Sequence, residues 1–272
     1  MKLKLQKDEY SKAAQWWDKS VGILGREHQK KDIDPVMFDL AGNISKKSVF
    51  EIGAGNGYFA EMLALQGAKV TATDLSSKLI AIAKERQRSA HNNKVNYLVR
   101  DATDLKGIKT ANFDIVFANM CLMDIADCSK AICECSRVLR HQGSFIFSII
   151  HPAFFDYGQL WSRIKIKNKE CLARVVPRYL SLASVKRPFC NSFSVTQYHR
   201  PITEYASYLR KAGFVIGDLR EISTREMPRI VRADDGDVTL SRSKYINAAD
   251  RRVKEIATKE IPFFLIIKAT KL

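Results

Sequence analysis

The chain has 272 residues, 46% of them hydrophobic and 27% charged, with a formal net charge of +16. That composition excludes wholesale disorder and suffices for one large domain or for one domain with an insertion. The charge attracts anionic partners over long range but does not choose among RNA, an acidic peptide and a phosphorylated metabolite.

The chain opens Met1-Lys2-Leu3-Lys4-Leu5-Gln6-Lys7-Asp8-Glu9, charged early and unlike a secretory signal. A cytoplasmic location is expected. The first forty or so residues read as polar helix with aromatic anchors Tyr10, Trp16 and Trp17. Ser48–Ile52 is a short apolar run ending in glycines, and so a buried strand. Tyr58–Leu65 has helical spacing, Lys69–Asp74 is a second strand and Ser77–Arg88 a second helix. Val95–Val99 and Phe113–Ala118 are further strands, Ser129–Leu139 is helical, and His141-Gln142-Gly143 is a turn opening a fifth strand, Gly143–Ile150. No apolar run reaches the roughly 20 residues needed to span a bilayer, so no membrane partner is expected. Cys121, Cys128, Cys133 and Cys135 cluster without metal-ligand spacing, and Cys133 and Cys135 face different ways on a helix. Free thiols and no metal are expected.

From about Phe154 to Arg200 the alternation breaks, and basic residues such as Arg163, Lys165, Lys169, Arg174, Lys186 and Arg187 dominate. Regular pattern returns as a helix at Ile202–Lys211, a strand at Phe214–Ile222 and a last strand at Phe263–Lys268. Ser223–Ile261 is polar and reads as a loop or lid. Strands alternating with helices imply an α/β fold, a mostly parallel sheet with helices on both faces. In such sheets the ligand sits beyond the carboxyl ends of the strands.

The central feature is Val49-Phe50-Glu51-Ile52-Gly53-Ala54-Gly55-Asn56-Gly57-Tyr58. A strand enters alternate glycines and a helix follows, so the backbone turns sharply and presents unpaired N–H groups to a ligand. The third glycine comes one residue too early for the G-x-G-x-x-G dinucleotide fingerprint, and Tyr58 fills its place, which moves the reading away from NAD. Asp74 ends the second strand about 20 residues on, where such folds grip a ribose diol. Asp101 and Ala102 follow the third strand, with Asp101 suited to accept from an adenine amino group, and Asn119 and Met120 follow the fourth.

At these positions the chain resembles class I S-adenosylmethionine-dependent methyltransferases. The resemblance rests on Glu51–Gly57, Asp74-Leu75-Ser76, Arg100-Asp101-Ala102, Phe113–Val116 and Arg137–Gly143, and covers residues 45–150. Ser148-Ile149-Ile150-His151-Pro152, Tyr198-His199-Arg200-Pro201 and Ala212-Gly213-Phe214 further resemble a subgroup acting on small molecules. The resemblance implies a Rossmann-like, seven-stranded sheet with its last strand antiparallel. It implies S-adenosylmethionine as cofactor, with Gly53, Ala54, Gly55 and Gly57 near its methionine part, Asp74 on the ribose, Leu75 on the adenine and Asp101 on its amino group. Tyr10 and Trp17 would lie on a helix covering the cofactor, with Glu51, Asn119 and Met120 at strand ends beside it. Glu51 replaces a common Asp, and Gln142 the first glycine of a Gly-Gly turn. One domain is expected: residues 1–44 an N-terminal helical cap, 45–153 the cofactor-binding core, 154–200 a basic insertion capping the substrate, and 201–272 completing the sheet.

Methyl transfer is an in-line displacement needing an oriented, desolvated acceptor and sometimes a base. His151, expected at the site mouth, and His199 are the candidate bases. Tyr198 and Arg200 are candidate substrate contacts. The acceptor is read as an O or N atom of a small molecule or short peptide, with anionic character suited to the basic insertion. Two alternatives stay open. One is an RNA methyltransferase using the basic surface, although Asn119-Met120-Cys121-Leu122 lacks the prolines of base-amino enzymes. The other is a non-catalytic cofactor-binding regulator.

Overall fold

The computed structural model describes residues 2–89, 94–154, 161–166, 169–174, 176, 178–190, 193–224, 231–234, 237–240 and 259–272. Helix α1 (Lys2–Val21) leads into a π-helical turn (Gln29–Ile33) and α2 (Asp34–Ala41). The central sheet is then laid down as β1 (Ser48–Ile52), α3 (Tyr58–Leu65), β2 (Lys69–Asp74), α4 (Ser77–Ser89), β3 (Val95–Val99), β4 (Phe113–Asn119), α5 (Cys128–Val138) and β5 (Leu139–Ile150). Hairpins β6 (Trp161–Ile166) with β7 (Lys169–Arg174) and β8 (Ala183–Cys190) with β9 (Phe193–His199) follow. The chain continues through α6 (Ile202–Lys211), β10 (Phe214–Ile222), a short hairpin of β11 (Val231–Asp234) and β12 (Asp237–Leu240), and β13 (Phe264–Lys271).

The large sheet has seven strands in the order β10-β13-β5-β4-β1-β2-β3. Pairs among β1 to β5 are parallel, and β13 runs antiparallel to both β5 and β10. Strands buried on both faces read as continuous apolar runs, as Phe145–Ile150 does. One face presents Val49, Ala72, Phe117 and Ile266 to α2, α3 and α4. The other presents Phe50, Val116, Phe147 and Ile267 to α5 and α6. Among the described residues no helix is long and apolar enough to cross a membrane.

Expected and observed elements differ mainly at edges. The turn expected at His141-Gln142-Gly143 lies inside β5, where Gln142 has φ 61° and the pairing with β4 shifts register. The insertion forms hairpins, whose side chains in β6 and β7 lie outside the described residues, as does most of the lid expected at Ser223–Ile261. Pro201 is the N-cap of α6 rather than its first residue.

Three residues expected at the site have structural partners. His151 is buried. Its Nε2 lies 2.7 Å from Oε1 of Glu221 on β10, its Nδ1 accepts from Ala153 N, and its own N–H donates to Phe263 O. It ties the end of β5 to its neighbours across the sheet. His199, also buried, places Nε2 2.8 Å from Tyr179 O. Arg200, 5% exposed, donates to the carbonyls of Leu122, Ile125 and Ala126, and stacks over Tyr198 at 5.3 Å. A guanidinium bonded to three carbonyls braces the loop after β4.

Gly57 shows what the glycine loop demands. Its φ is 84°, and a Cβ would fall 2.9 Å from Ala83 Cβ and collide with the Tyr97 hydroxyl. Gly57→Ala is expected to cost about 2–4 kcal/mol, from overpacking and left-handed strain together, read by urea unfolding. A second outcome concerns pH. Burial holds the His151 imidazole below its ordinary value, outweighing Glu221. The unfolded chain therefore takes up this proton first, and stability falls as pH drops below the usual histidine range. His151→Gln removes that part of the fall, and unfolding curves at neutral and mildly acidic pH measure it.

Candidate functional site

The carboxyl ends of β1, β2, β3 and β4 open onto one cavity of about 1130 Å³. Its floor is the glycine loop. Gly53, Gly55 and Gly57 have φ of 65°, 57° and 84°, in the left-handed region that a side chain disfavours. A Cβ on Gly53 would fall 2.7 Å from Cys121 Sγ, so the loop lies tight against the segment after β4. The Cys121 thiol donates to Ile52 O and closes that contact. Met120, at φ 57°, turns the chain out of β4, held by N–H donation to Ser148 O and Oγ.

Acidic groups cluster around this floor. Asp74 accepts from Gly55 N through one oxygen and from Ser76 N through the other, both at 2.8 Å. Each oxygen keeps a lone pair for a ligand hydroxyl. Burial raises its pKa against those two hydrogen bonds. Glu51 is 1% exposed, its Oε2 has no hydrogen-bond partner, and burial followed by repulsion from Asp34 and Asp74 pushes it up to about 8. Asp101 accepts from Thr103 N at 2.9 Å and Thr103 Oγ1 at 2.8 Å, an Asx turn that fixes its carboxylate at the cavity edge.

Beneath the floor runs a polar network that the sequence did not signal. Ser148 Oγ donates to Asn119 Oδ1 at 2.7 Å, and Asn119 Nδ2 donates to the Tyr58 hydroxyl at 2.9 Å and to Asp34 Oδ1 at 3.1 Å. Burial lifts Asp34 to about 7 against the hydrogen bonds from Asn119 and Tyr58. The network fixes Asn119 at the cavity wall and joins α2 and α3 to β4 and β5.

Helix α1 is the roof. Tyr10, Trp16 and Trp17 line the cavity, with Tyr10 and Trp17 edge to face at 6.0 Å. Trp17 Nε1 lies 3.3 Å from where a Gly55 Cβ would fall. Polar ties hold the helix down. Glu9 accepts from Thr196 N and Oγ1 on β9, both at 3.1 Å. Asp18 pairs with Arg86 on α4 and accepts from Asn56 Nδ2 at 2.9 Å. Arg26 stacks over Trp17 at 4.8 Å, and its Nε and Nη2 are buried with no hydrogen-bond partner.

At the opposite wall, Asp124 and Gln197 are buried and joined by Gln197 Nε2 to Asp124 Oδ1 at 2.7 Å. Arg187 Nη1 donates to Gln197 Oε1 at 3.1 Å. Burial raises Asp124 to about 7, opposed by the hydrogen bond from Gln197 and by Arg187.

Of the residues expected at the site, Tyr10, Trp17, Glu51, Gly53, Ala54, Gly55, Asp74, Leu75, Asp101, Ala102, Asn119 and Met120 line this cavity. Gly57 does not and serves packing. His151, Tyr198, His199 and Arg200 do not line it either, and their partners lie elsewhere as described above. His151 was expected at the mouth because it follows a strand end, but the preceding residue, Ile150, takes the lining position and the imidazole turns to Glu221. Arg26, Asp124 and Gln197 were not singled out, and Arg187 was named only among the basic residues of the insertion. A signal existed for Asp124, a lone acid within the apolar Leu122–Ile125 segment after a strand end. Among the described residues no group of three or more His, Cys, Asp or Glu side chains is arranged to hold a metal ion.

The family described as "Methyltransferase domain" matches residues 50–147. A ubiquinone biosynthesis O-methyltransferase of Aromatoleum aromaticum is 25% identical over 227 residues, covering 83% of this chain and 88% of that protein. A structure from Listeria monocytogenes, assigned as an S-adenosylmethionine-dependent methyltransferase, superposes with a TM-score of 0.63 at 25% identity, over 88% of this chain and 97% of that one. An S-adenosylmethionine-dependent methyltransferase from Mesorhizobium loti shares the fold at a TM-score of 0.64 and 20% identity, over 87% and 96% of the two chains. The β10-β13-β5-β4-β1-β2-β3 sheet, the cavity at its carboxyl edge, the methyltransferase-domain match over residues 50–147 and the likeness to the Listeria structure together support a class I S-adenosylmethionine-dependent methyltransferase.

Proposed function

We propose that this enzyme methylates an O or N atom of a small molecule, or of a short peptide, held under α1 and the β8–β9 hairpin. The carrying observation is one cavity that exceeds the roughly 300–1,000 Å³ of an ordinary ligand site, so cofactor and acceptor fit side by side. Its roof is tied down at Glu9 and Asp18, which suits a small acceptor better than a macromolecular one. The O-methyltransferase name of the Aromatoleum relative agrees with this reading. The chain acts as one domain in which residues 1–44 and 154–200 cap a core of 45–153, completed by 201–272.

The residues fit S-adenosylmethionine. Its amino-acid end carries an ammonium and a carboxylate, and the cavity offers a buried carboxyl oxygen on Glu51 and buried guanidinium donors on Arg26, both without protein partners. Asp74 takes the ribose hydroxyls with its remaining lone pairs. Leu75 packs on the adenine and Asp101 accepts from its amino group, with Ala102 alongside. Gly53, Ala54 and Gly55 let the backbone approach the methionine part. Asn119 and Met120 form the wall, and Tyr10 and Trp17 the cover. When bound, the cofactor would supply an electrophilic methyl carbon on a sulfonium whose sulfur leaves as a neutral thioether. The protein orients the acceptor, excludes water beneath α1 and receives any proton the acceptor sheds.

Calorimetric titration with S-adenosylmethionine, with NAD as control, tests the cofactor reading. Wild type binds the first alone, and Asp74→Ala weakens it by at least about tenfold through lost charge-assisted hydrogen bonds. NAD binding, or an unaffected variant, would refute it. Proton linkage gives a further check. With its pKa near 8, Glu51 is mostly protonated at pH 7 before binding. An arriving ammonium favours the carboxylate, so binding releases protons to the buffer. Titrations in buffers of different ionisation heat detect that release, and Glu51→Gln diminishes it.

A further inference from the structure

The polar group at the far wall of the cavity has no part in the cofactor fit. Asp124 stands just beyond β4, where a short 3₁₀ turn (Leu122–Asp124) carries its side chain into the cavity. That turn is held in place from behind. Arg200 donates to the carbonyls of Leu122, Ile125 and Ala126, so the backbone on both sides of Asp124 is fixed. Gln197, from β9, donates to Asp124 Oδ1 and is itself oriented by Arg187 from β8. Tyr10, from α1, brings its hydroxyl to the same carboxyl. Three separate elements of the chain thus converge on one carboxyl facing the cavity. The charged and titratable groups around it are Arg187, Tyr10, Asp74, Cys121 and Tyr205.

We infer that Asp124, oriented by Gln197, is the acceptor-oxygen site, and that the acceptor it takes is an aromatic hydroxyl compound. The inference rests on the methyltransferase reading and adds to it the acceptor class and the group that meets the acceptor.

Chemistry selects the class. The acceptor's O–H bond breaks as its oxygen forms the bond to the methyl carbon, and the proton passes to the Asp124 carboxylate. Burial holds that carboxyl near 7, against about 10 for a phenol, so the transfer is modestly uphill and is completed as the oxygen loses charge to the methyl group. An aliphatic hydroxyl, which holds its proton far more tightly than a phenol, lies out of range. Apolar walls from Met123, Ile125, Pro188 and Trp17 suit an aromatic ring.

Calorimetry with the full chain tests this. Catechol is titrated into protein saturated with S-adenosylhomocysteine, with cyclohexane-1,2-diol as the ring-saturated control. Catechol is expected to bind at millimolar concentration and the control not. Asp124→Asn weakens catechol by about tenfold or more and leaves S-adenosylhomocysteine affinity unchanged. Tyr10→Phe, which removes a single oxygen, weakens catechol several-fold and keeps the test readable if Asp124→Asn does not fold. Failure of S-adenosylhomocysteine to bind would sink the underlying cofactor reading. If it binds but catechol does not, or the diol binds as well, or the folded variants take catechol like wild type, the acceptor site is overturned while the cofactor reading stands.

Discussion

Carboxyl groups buried around one cavity are the constraint around which this site is built. Glu51, Asp74 and Asp124 face one cavity and Asp34 lies close by, in a chain with 45 basic and 29 acidic residues. Glu51 Oε2 has no hydrogen-bond partner at all. A buried, unpaired carboxylate costs several kcal/mol, and such a group answers by holding its proton. Burial is the leading cause of the raised pKa at each of the four. Burial shifts each of these groups toward its neutral form, and a cationic ligand shifts them back toward the charged form. A ligand bearing both an ammonium and a sulfonium suits that electrostatic demand better than a pyrophosphate, which the same carboxyls would repel.

The scaffold holds this arrangement through backbone geometry rather than side-chain bulk. The glycine loop passes through left-handed conformations and lies against Cys121 on one side and against Ala83 and Tyr97 on the other. Met120 turns out of β4 in a conformation unusual for a residue with a side chain, and two hydrogen bonds to Ser148 hold it there. Strain of this kind persists where surrounding contacts over-determine it. The Ser148, Asn119, Tyr58 and Asp34 network supplies them, so the strand ends, the floor of the cavity and the N-terminal segment form one connected unit.

The parts legible in the sequence were those fixed by local rules. Strands β1 to β5 follow from apolar runs punctuated by glycine and acid, and the strand-end rule found Glu51, Asp74, Asp101, Asn119 and Met120, all of which line the cavity. The hairpins after β5 carry no such periodicity. The residues they bring to the site, Arg187 and Gln197, become neighbours of Asp124 through contacts separated by 73 positions in the case of Gln197. Arg26 was equally hidden, because its place over Trp17 depends on how the chain turns after α1.

The histidines show where the local rule misleads. Imidazole is the side chain that titrates near neutrality, so a histidine at a strand end invites a catalytic reading. A strand end, however, fixes where the backbone lies and leaves the side chain's direction to its neighbours. At His151 the antiparallel β13 and the adjoining β10 offer Glu221 and the Phe263 carbonyl, and the ring goes to them. At His199 the carbonyl of Tyr179 does the same. Methyl transfer does not require an imidazole, because the leaving group departs as a neutral thioether and asks for no proton. What remains to be managed is the acceptor's own proton, and a carboxyl lifted toward neutrality by burial is matched to that task. In this chain carboxyls lifted toward neutrality face the cavity, while His151 and His199 hold strands and loops in place.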